Sequence, residues 1–225
     1  MKTTSNIRST LILCFATAVI ISATGCQRKR TEKAYHDNGK LMYEVSYKGK
    51  SKHGPSVYYF ADGRKEIEYS YKNNLLDGKV TRWYFNGNIE YEEEYGNNQL
   101  EGLSKYFFIN GNISEEKNFH QDELDGPYKA FWENGTKKIT GQYQRGMYHG
   151  RWEYFNGQGL KVGEAMFENG SGVMTGYHKN GRIHKEIEYR ENLKHGREVT
   201  WTEEGSLVSE QFYENGELVK EINRN

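Results

Sequence analysis

Residues 71–95 read YKNNLLDGKVTRWYFNGNIEYEEEY. The stretch holds two glycines nine residues apart, Gly78 and Gly87, with an Asn-Gly pair at the second and aromatic residues on both sides. The same phrase returns before and after it. The second glycine, called the turn glycine below, recurs at Gly39, Gly63, Gly87, Gly111, Gly135, Gly159, Gly181 and Gly205, with a spacing of 24 residues at every step but one. The exception is 22, because the loop after Phe167 is two residues shorter than its equivalents. The first, the loop glycine, recurs in phase at Gly54, Gly78, Gly102, Gly126, Gly150, Gly172 and Gly196. A fixed period of this length is the signature of a repeat architecture.

Three further registers keep their character. Eight residues after the turn glycine stand Tyr47, Tyr71, Tyr95, Phe119, Tyr143, Phe167, Tyr189 and Tyr213. Five after the loop glycine stand Tyr59, Trp83, Phe107, Phe131, Phe155, Tyr177 and Trp201. Five after the turn glycine stands a glutamate in every copy except at Thr140.

Within a copy the side chains alternate. In GRKEIEYSY (residues 63–71), Ile67, Tyr69 and Tyr71 are separated by Glu68 and Ser70, the period-2 pattern of a half-buried strand. A six-residue polar loop, KNNLLD, leads to Gly78 and a second aromatic run, which Asn86-Gly87 closes as a hairpin. Pro55 and Pro127 follow loop glycines, a strand-start position where a missing N–H is tolerated. The expected fold is all-β: an elongated antiparallel meander of about eight 24-residue hairpins, in a single-layer twisted ribbon of about sixteen strands some ~75 Å long. Each copy contacts mainly its neighbours. The aromatic registers become ladders of rings, and with so few aliphatic residues they are expected to supply the core, Trp83 at its middle.

Only 35% of the 225 residues are hydrophobic, 18 are tyrosine and the formal charge is zero. A balanced charge gives no basic surplus for nucleic acid. Both cysteines lie near the N-terminus. Lys2 and Arg8 precede an 11-residue apolar run, LILCFATAVII at 11–21, too short to span a bilayer, which takes ~20 residues. With the small residues before Cys26 it reads as a signal segment, 1–25. Ser22-Ala23-Thr24-Gly25-Cys26 resembles a bacterial lipobox, which implies cleavage before Cys26 and its lipidation. The polar residues 26–34 are then a tether, and 35–225 the repeat domain. Arg28, Lys29 and Arg30 beside the anchor suit anionic headgroups as well as plain solvent. Gln27 stands where an aspartate would imply inner-membrane retention, so the resemblance points to the outer membrane.

The copies resemble the bacterial variant of the MORN repeat. The matching phrase is Y-x-N-G-x-x-x-x-E-x-x-Y followed by G-x-x-x-x-aromatic, clearest from Phe85 to Phe107 and covering roughly residues 35–216. The resemblance implies a β-hairpin repeat; no cofactor is expected. Relatives of this kind are often described as antitoxin components of toxin–antitoxin systems, and MORN modules elsewhere are tied to membranes and protein scaffolding. The export signal fits the second setting better than a cytoplasmic antitoxin.

The residues themselves argue against catalysis. His53, His149 and His195 each precede a loop glycine, but metal ligands must lie ~2 Å from one ion, and on an open ribbon these copies are far apart. The glutamate register repeats one environment, whereas acid–base pairs need two unlike ones. No nucleophile elbow, P-loop or His-Glu-x-x-His is present. What remains is binding. Regularly spaced rings at Tyr59, Trp83, Phe107, Phe131, Phe155, Tyr177 and Trp201 suit a glycan or a protein partner if they are exposed, and hairpin register decides which face they take. The irregular copy, where Gly157, Gly159, Gly163, Gly170, Gly172 and Gly176 crowd together near Glu164, His178 and His184, is expected to be a bend or a point of close approach.

Overall fold

The computed structural model describes residues 28–223. Cys26 and residues 1–25, the expected signal segment, lie outside them. Nineteen strands follow one another in one open sheet, with no helix among the described residues. Pairing runs in chain order and is antiparallel throughout, from Lys29–Tyr35 on Leu41–Lys48 at one edge to Leu207–Glu214 on Glu217–Asn223 at the other. The meander is therefore as expected, but it begins earlier. Lys29–Tyr35 is a strand with Lys33 opposite Glu44, so most of the stretch assigned to a tether belongs to the sheet.

The two ends of each hairpin are built differently from the sequence expectation. The polar loop KNNLLD is a two-residue turn: Asn73 and Asn74 have φ of 53° and 72°, while Leu75–Leu76 already pairs with the preceding strand. The same two-residue turn with both φ positive recurs at Asn97-Asn98, Gln121-Asp122 and Glu191-Asn192, and at Arg145-Gly146, Asn169-Gly170 and Asn215-Gly216. Such mirror-image turns match the natural strand twist. At the Asn86-Gly87 end, Gly87 N–H donates to Tyr84 C=O at 2.9 Å and Tyr84 N–H to Asn88 C=O at 2.8 Å. Only the glycine there has positive φ, 93°, which is the type I turn with a left-handed closing residue of a three-residue loop.

The loop glycine has its own cause. In full-length copies the register slips beside it, for example between Val45 and Tyr47 and between Thr140 and Gln142. Gly54, Gly78, Gly102, Gly126, Gly150 and Gly196 carry the positive φ that this irregularity demands. The shortened copy proves the point. Its hairpin, Lys161–Glu168 on Ser171–Tyr177, pairs without any slip, and Gly172 alone of the series lacks a positive φ. The two missing residues are the bulge.

Alternation then sorts side chains to two faces. One face carries the core: Val45, Ile67, Val80, Ala130, Trp152, Ala165, Phe167 and Ile187 are buried. Its centre is Trp152, 3% exposed, packed among Tyr128, Tyr143, Tyr148, Tyr154 and Phe167. The indole lies over Gly141, where an added Cβ would sit 2.2 Å from the ring. The ring register headed by Trp83 is on the other face and only half-buried, which corrects the expectation that it forms the core. Of the two constant aromatic registers, only the one containing Tyr143, Phe167 and Tyr189 joins the core cluster.

Candidate binding surface and inter-repeat cleft

The face opposite the core is built from two registers that the sequence had singled out separately. Val57 lies opposite Glu68, Thr81 opposite Glu92 and Glu153 opposite Glu164. Two residues further along the first strand of each pair, and so on the same side, come Tyr59, Trp83 and Phe155. Phe107, Phe131, Tyr177 and Trp201 occupy the same place in their copies, and all seven rings are half-buried. The glutamates are not a bare acidic stripe. Among the described residues all but Glu186 carry an ion pair, three of them with the residue after the loop glycine: Lys79 with Glu92, Arg151 with Glu164 at 3.0 Å and Arg197 with Glu210 at 2.6 Å. Lys129 to Glu116 at 3.1 Å extends the series. Lysines also cover rings, as Lys65 Nζ does 5.4 Å above Trp83. This face is a flat lattice of rings, carboxylates and amines, amphipathic at every step.

Side chains at the Asn-Gly edge stitch successive copies. The amides of Asn38, Asn86, Asn110, Asn134 and Asn180 donate to main-chain carbonyls of the following copy, at 2.6 Å for Asn38 to Ala61 and 2.9 Å for Asn134 to Gly157. Two residues earlier, Tyr84 Oη donates to Phe107 C=O at 2.8 Å and Trp132 Nε1 to Phe155 C=O at 3.0 Å. The His178 ring likewise bonds Trp201 C=O at 2.9 Å. Between Gly63 and Gly87, Phe60 packs on Phe85 instead, with ring centroids 5.4 Å apart.

One junction has neither device among the described residues. Asn156 and Gln158 hold the stitching positions ahead of Gly159, but the Asn156 side-chain Oδ1 accepts from Gln158 N–H and Leu160 N–H, both at 3.0 Å, within its own turn. A cleft of about 700 Å³ opens there, lined by Asn156, Leu160, Lys161, Glu164, Tyr177, His178 and Lys179 among others. At the opposite edge the shortened hairpin is clamped. Asn192 reaches two copies back, accepting from Tyr148 N–H and donating to Gly146 C=O, both at 2.8 Å, across Gly170. A Cβ on Gly170 would meet Asn192 N at 2.7 Å. So the glycine-rich copy is a point of close approach at one edge and an opening at the other.

In the cleft, Glu164 is fixed by Lys161 at 2.9 Å, Tyr177 Oη at 2.9 Å and Arg151 at 3.0 Å. Those bonds, the Lys161 one foremost, hold its carboxyl down at about 2, so it is an anion at every physiological pH and no proton donor. His178 and His184 stack edge-on with centroids 4.5 Å apart. The other flagged histidines stay apart: His53 lines a separate small cleft with Lys29 and Arg30, and His195 Nδ1 receives Asn215 N–H at 3.4 Å. Among the described residues no group of three or more His, Cys, Asp or Glu side chains converges on a point. Sequence reasoning missed Asn156, Gln158 and Lys179. Their only signal was that Gln158 replaces the usual Asn or Asp before the turn glycine.

The architecture defines an open, single-sheet β-repeat protein whose exposed face repeats once per copy. Segments 31–48, 76–97, 124–145, 194–215 and 208–225 match the family described as MORN repeat variant. The matched segments 76–97, 124–145 and 194–215 each begin two residues before a bulge glycine and end two residues past the aromatic residue eight after the turn glycine. No match among curated proteins accompanies this.

Proposed function

We propose that this protein is a lipid-anchored, non-enzymatic repeat scaffold of the cell envelope, held at the outer membrane through Cys26, which binds a protein or glycan partner through its sheet. The observation that carries the reading is the face opposite the core: seven half-buried rings in register, alongside a row of glutamates most of which hold a lysine or arginine. Such a lattice offers stacking surfaces and charge-assisted hydrogen bonds at a fixed interval, which suits an extended ligand with its own repeat. Apart from the cleft between Gly159 and Gly181, this face repeats one chemistry from copy to copy, whereas a catalytic centre brings unlike groups together. Lys29 and Arg30 open the first strand directly after Arg28, close to the anchor position, and the run favours an anionic membrane beneath it.

The test is capture from envelope extract on the immobilised protein, repeated with Phe107→Ser and Phe131→Ser together. The reading requires a partner held by the parent and lost by the variant, and equal recovery from both would end it. Cys26→Ala is expected to release the chain from membranes; retention at the parental level would remove the anchor. The antitoxin alternative would use the same surface, and co-capture of a small toxic protein in place of an envelope component would select it.

A further inference from the structure

We propose that the cleft between the turns of Gly159 and Gly181 is a saccharide subsite, specific for a sugar carrying an acetamido group. The site exists because of a local failure in an otherwise regular device. At neighbouring junctions the side chains before the turn glycine are spent on the next copy's carbonyls. Here Asn156 turns its oxygen inward to two N–H groups of its own loop, which leaves its amide N–H₂ directed away from them with no protein acceptor among the described residues. The Gln158 side chain and the Lys179 ammonium are likewise without a partner there. Three free donors thus share one cleft with the apolar surfaces of Leu160, 65% exposed, and Tyr177.

The remaining polar groups are already held. Glu164, bound by Lys161, Arg151 and Tyr177, fixes the Tyr177 ring by its hydroxyl, and Trp201 C=O fixes His178. A site with its apolar walls fixed and its donors unspent takes a ligand that is rich in acceptors and has an apolar face. A pyranose answers both needs, its C–H face on Tyr177 and its oxygens toward the donors. The exposed Leu160 beside amide donors adds the preference: an acetamido group presents a methyl and a carbonyl together, the one to Leu160 and the other to Asn156 or Lys179.

This goes beyond the reading of the ring lattice and stands or falls separately, because the cleft is one place in one copy. The experiment is an amide-resolved NMR titration of the full chain with the N-acetylglucosamine trimer, and with maltotriose as the sugar lacking acetamido groups. Saturable shifts at Gly157, Leu160, Tyr177 and Lys179 with the first sugar, and at least about tenfold weaker binding of the second, are expected. Lys179→Ala, an exposed change, should weaken the trimer. The double change Asn156→Trp with Gln158→Asn restores the residues that stitch at Trp132 and Asn134, and it should close the cleft and abolish the shifts while leaving the rest of the spectrum in place. Shifts elsewhere on the sheet, none at all, equal binding of maltotriose, or unchanged binding by the closed variant would each overturn the proposal. Equal capture by the parent and by the Phe107→Ser, Phe131→Ser variant, with the titration intact, would fault only the lattice reading.

Discussion

The sheet fills the same registers in two ways. Around the Gly135 and Gly159 turns, the core face is a ring cluster: Tyr148 lies 4.8 Å from Trp152, Tyr143 5.1 Å from Trp152 and Tyr148 5.2 Å from Phe167, centroid to centroid. Around Gly87 and Gly111, Glu93 and Lys117 stand where the cluster region has Gly141 and Ala165, and Glu115 where it has Ile139. There Tyr106 and Tyr95 hydroxyls donate to Glu93 at 2.7 and 2.9 Å, and Tyr128 to Glu115 at 3.0 Å. Lys117 Nζ sits 4.8 Å over the Tyr106 ring. One region is held by dispersion and apolar burial, the other by hydrogen bonds to carboxylates, on one continuous ladder. The repeat prescribes a backbone, and each copy need only agree with its neighbours about what fills it.

The largest effect expected follows from that contrast. Trp152→Ala should cost roughly 3–5 kcal/mol in urea unfolding, as buried aromatic truncations do, while Trp83→Ala on the other face should cost about 1 kcal/mol. Equal losses would erase the distinction between the faces. Gly141→Ala forces a methyl into the Trp152 ring and should cost about 1–3 kcal/mol as an overpacked site. Combined with Trp152→Ala it should cost much less than the sum, because the clash is gone. A strictly additive double variant would show that the two residues do not meet in solution.

The polar region should respond to alkali. Burial, then the nearby Glu93 carboxylate, pushes the Tyr95 and Tyr106 hydroxyls well above the usual phenol range. Their folded pKa exceeds the unfolded value of ~10, so the stability they contribute is complete below pH ~10 and is lost as pH rises toward the folded values. Urea midpoints should hold to that pH and then fall, with these tyrosines ionising late by ultraviolet absorbance. In Glu93→Gln, Tyr95 and Tyr106 should ionise earlier; unchanged titration would break the assignment.

Acid probes the far arm. Burial tends to raise the Glu198 carboxyl, but bonds from Lys185 at 2.8 Å and Lys194 at 2.6 Å overcome it and lower the pKa. Its contribution is therefore present above the unfolded value of ~4.3 and disappears as pH falls through the folded one. Hydrogen exchange in Leu193–Trp201 should speed up on acidification before exchange near Trp152 does. Uniform acceleration would deny the arm a separate electrostatic lock. The smallest effect is Asn192→Ala, expected to cost about 1 kcal/mol from two hydrogen bonds and to raise exchange at Tyr148. An unchanged rate there would mean the clamp across Gly170 is not formed.

Positions under a backbone constraint are legible in the sequence, and those that fill space are not. Gly87 and Gly78 recur because φ is positive at both, a demand that no neighbour can relieve. Trp152 stands in a register that otherwise holds Ser56, Val80, Ser104, Tyr128, Met174 and Glu198, so no periodicity marks it. Its burial depends on Gly141, one strand away, being small. The constant ring register was mistaken for core on the same account: constancy followed from facing the same lattice of charges in every copy, not from burial. The cleft was half legible, since the glycine crowding and the shortened loop pointed to the copy but not to the unspent amides.

The chain by itself thus determined the period, the antiparallel meander, the glycine positions and the irregular copy, because these follow from local backbone chemistry repeated in phase. Tertiary structure alone decided which aromatic ladder is core, that the two missing residues are a bulge, and that one junction stands open. Each of those turns on which side chain meets which across strands, a matter of register and of neighbouring volume that a single strand's sequence does not carry.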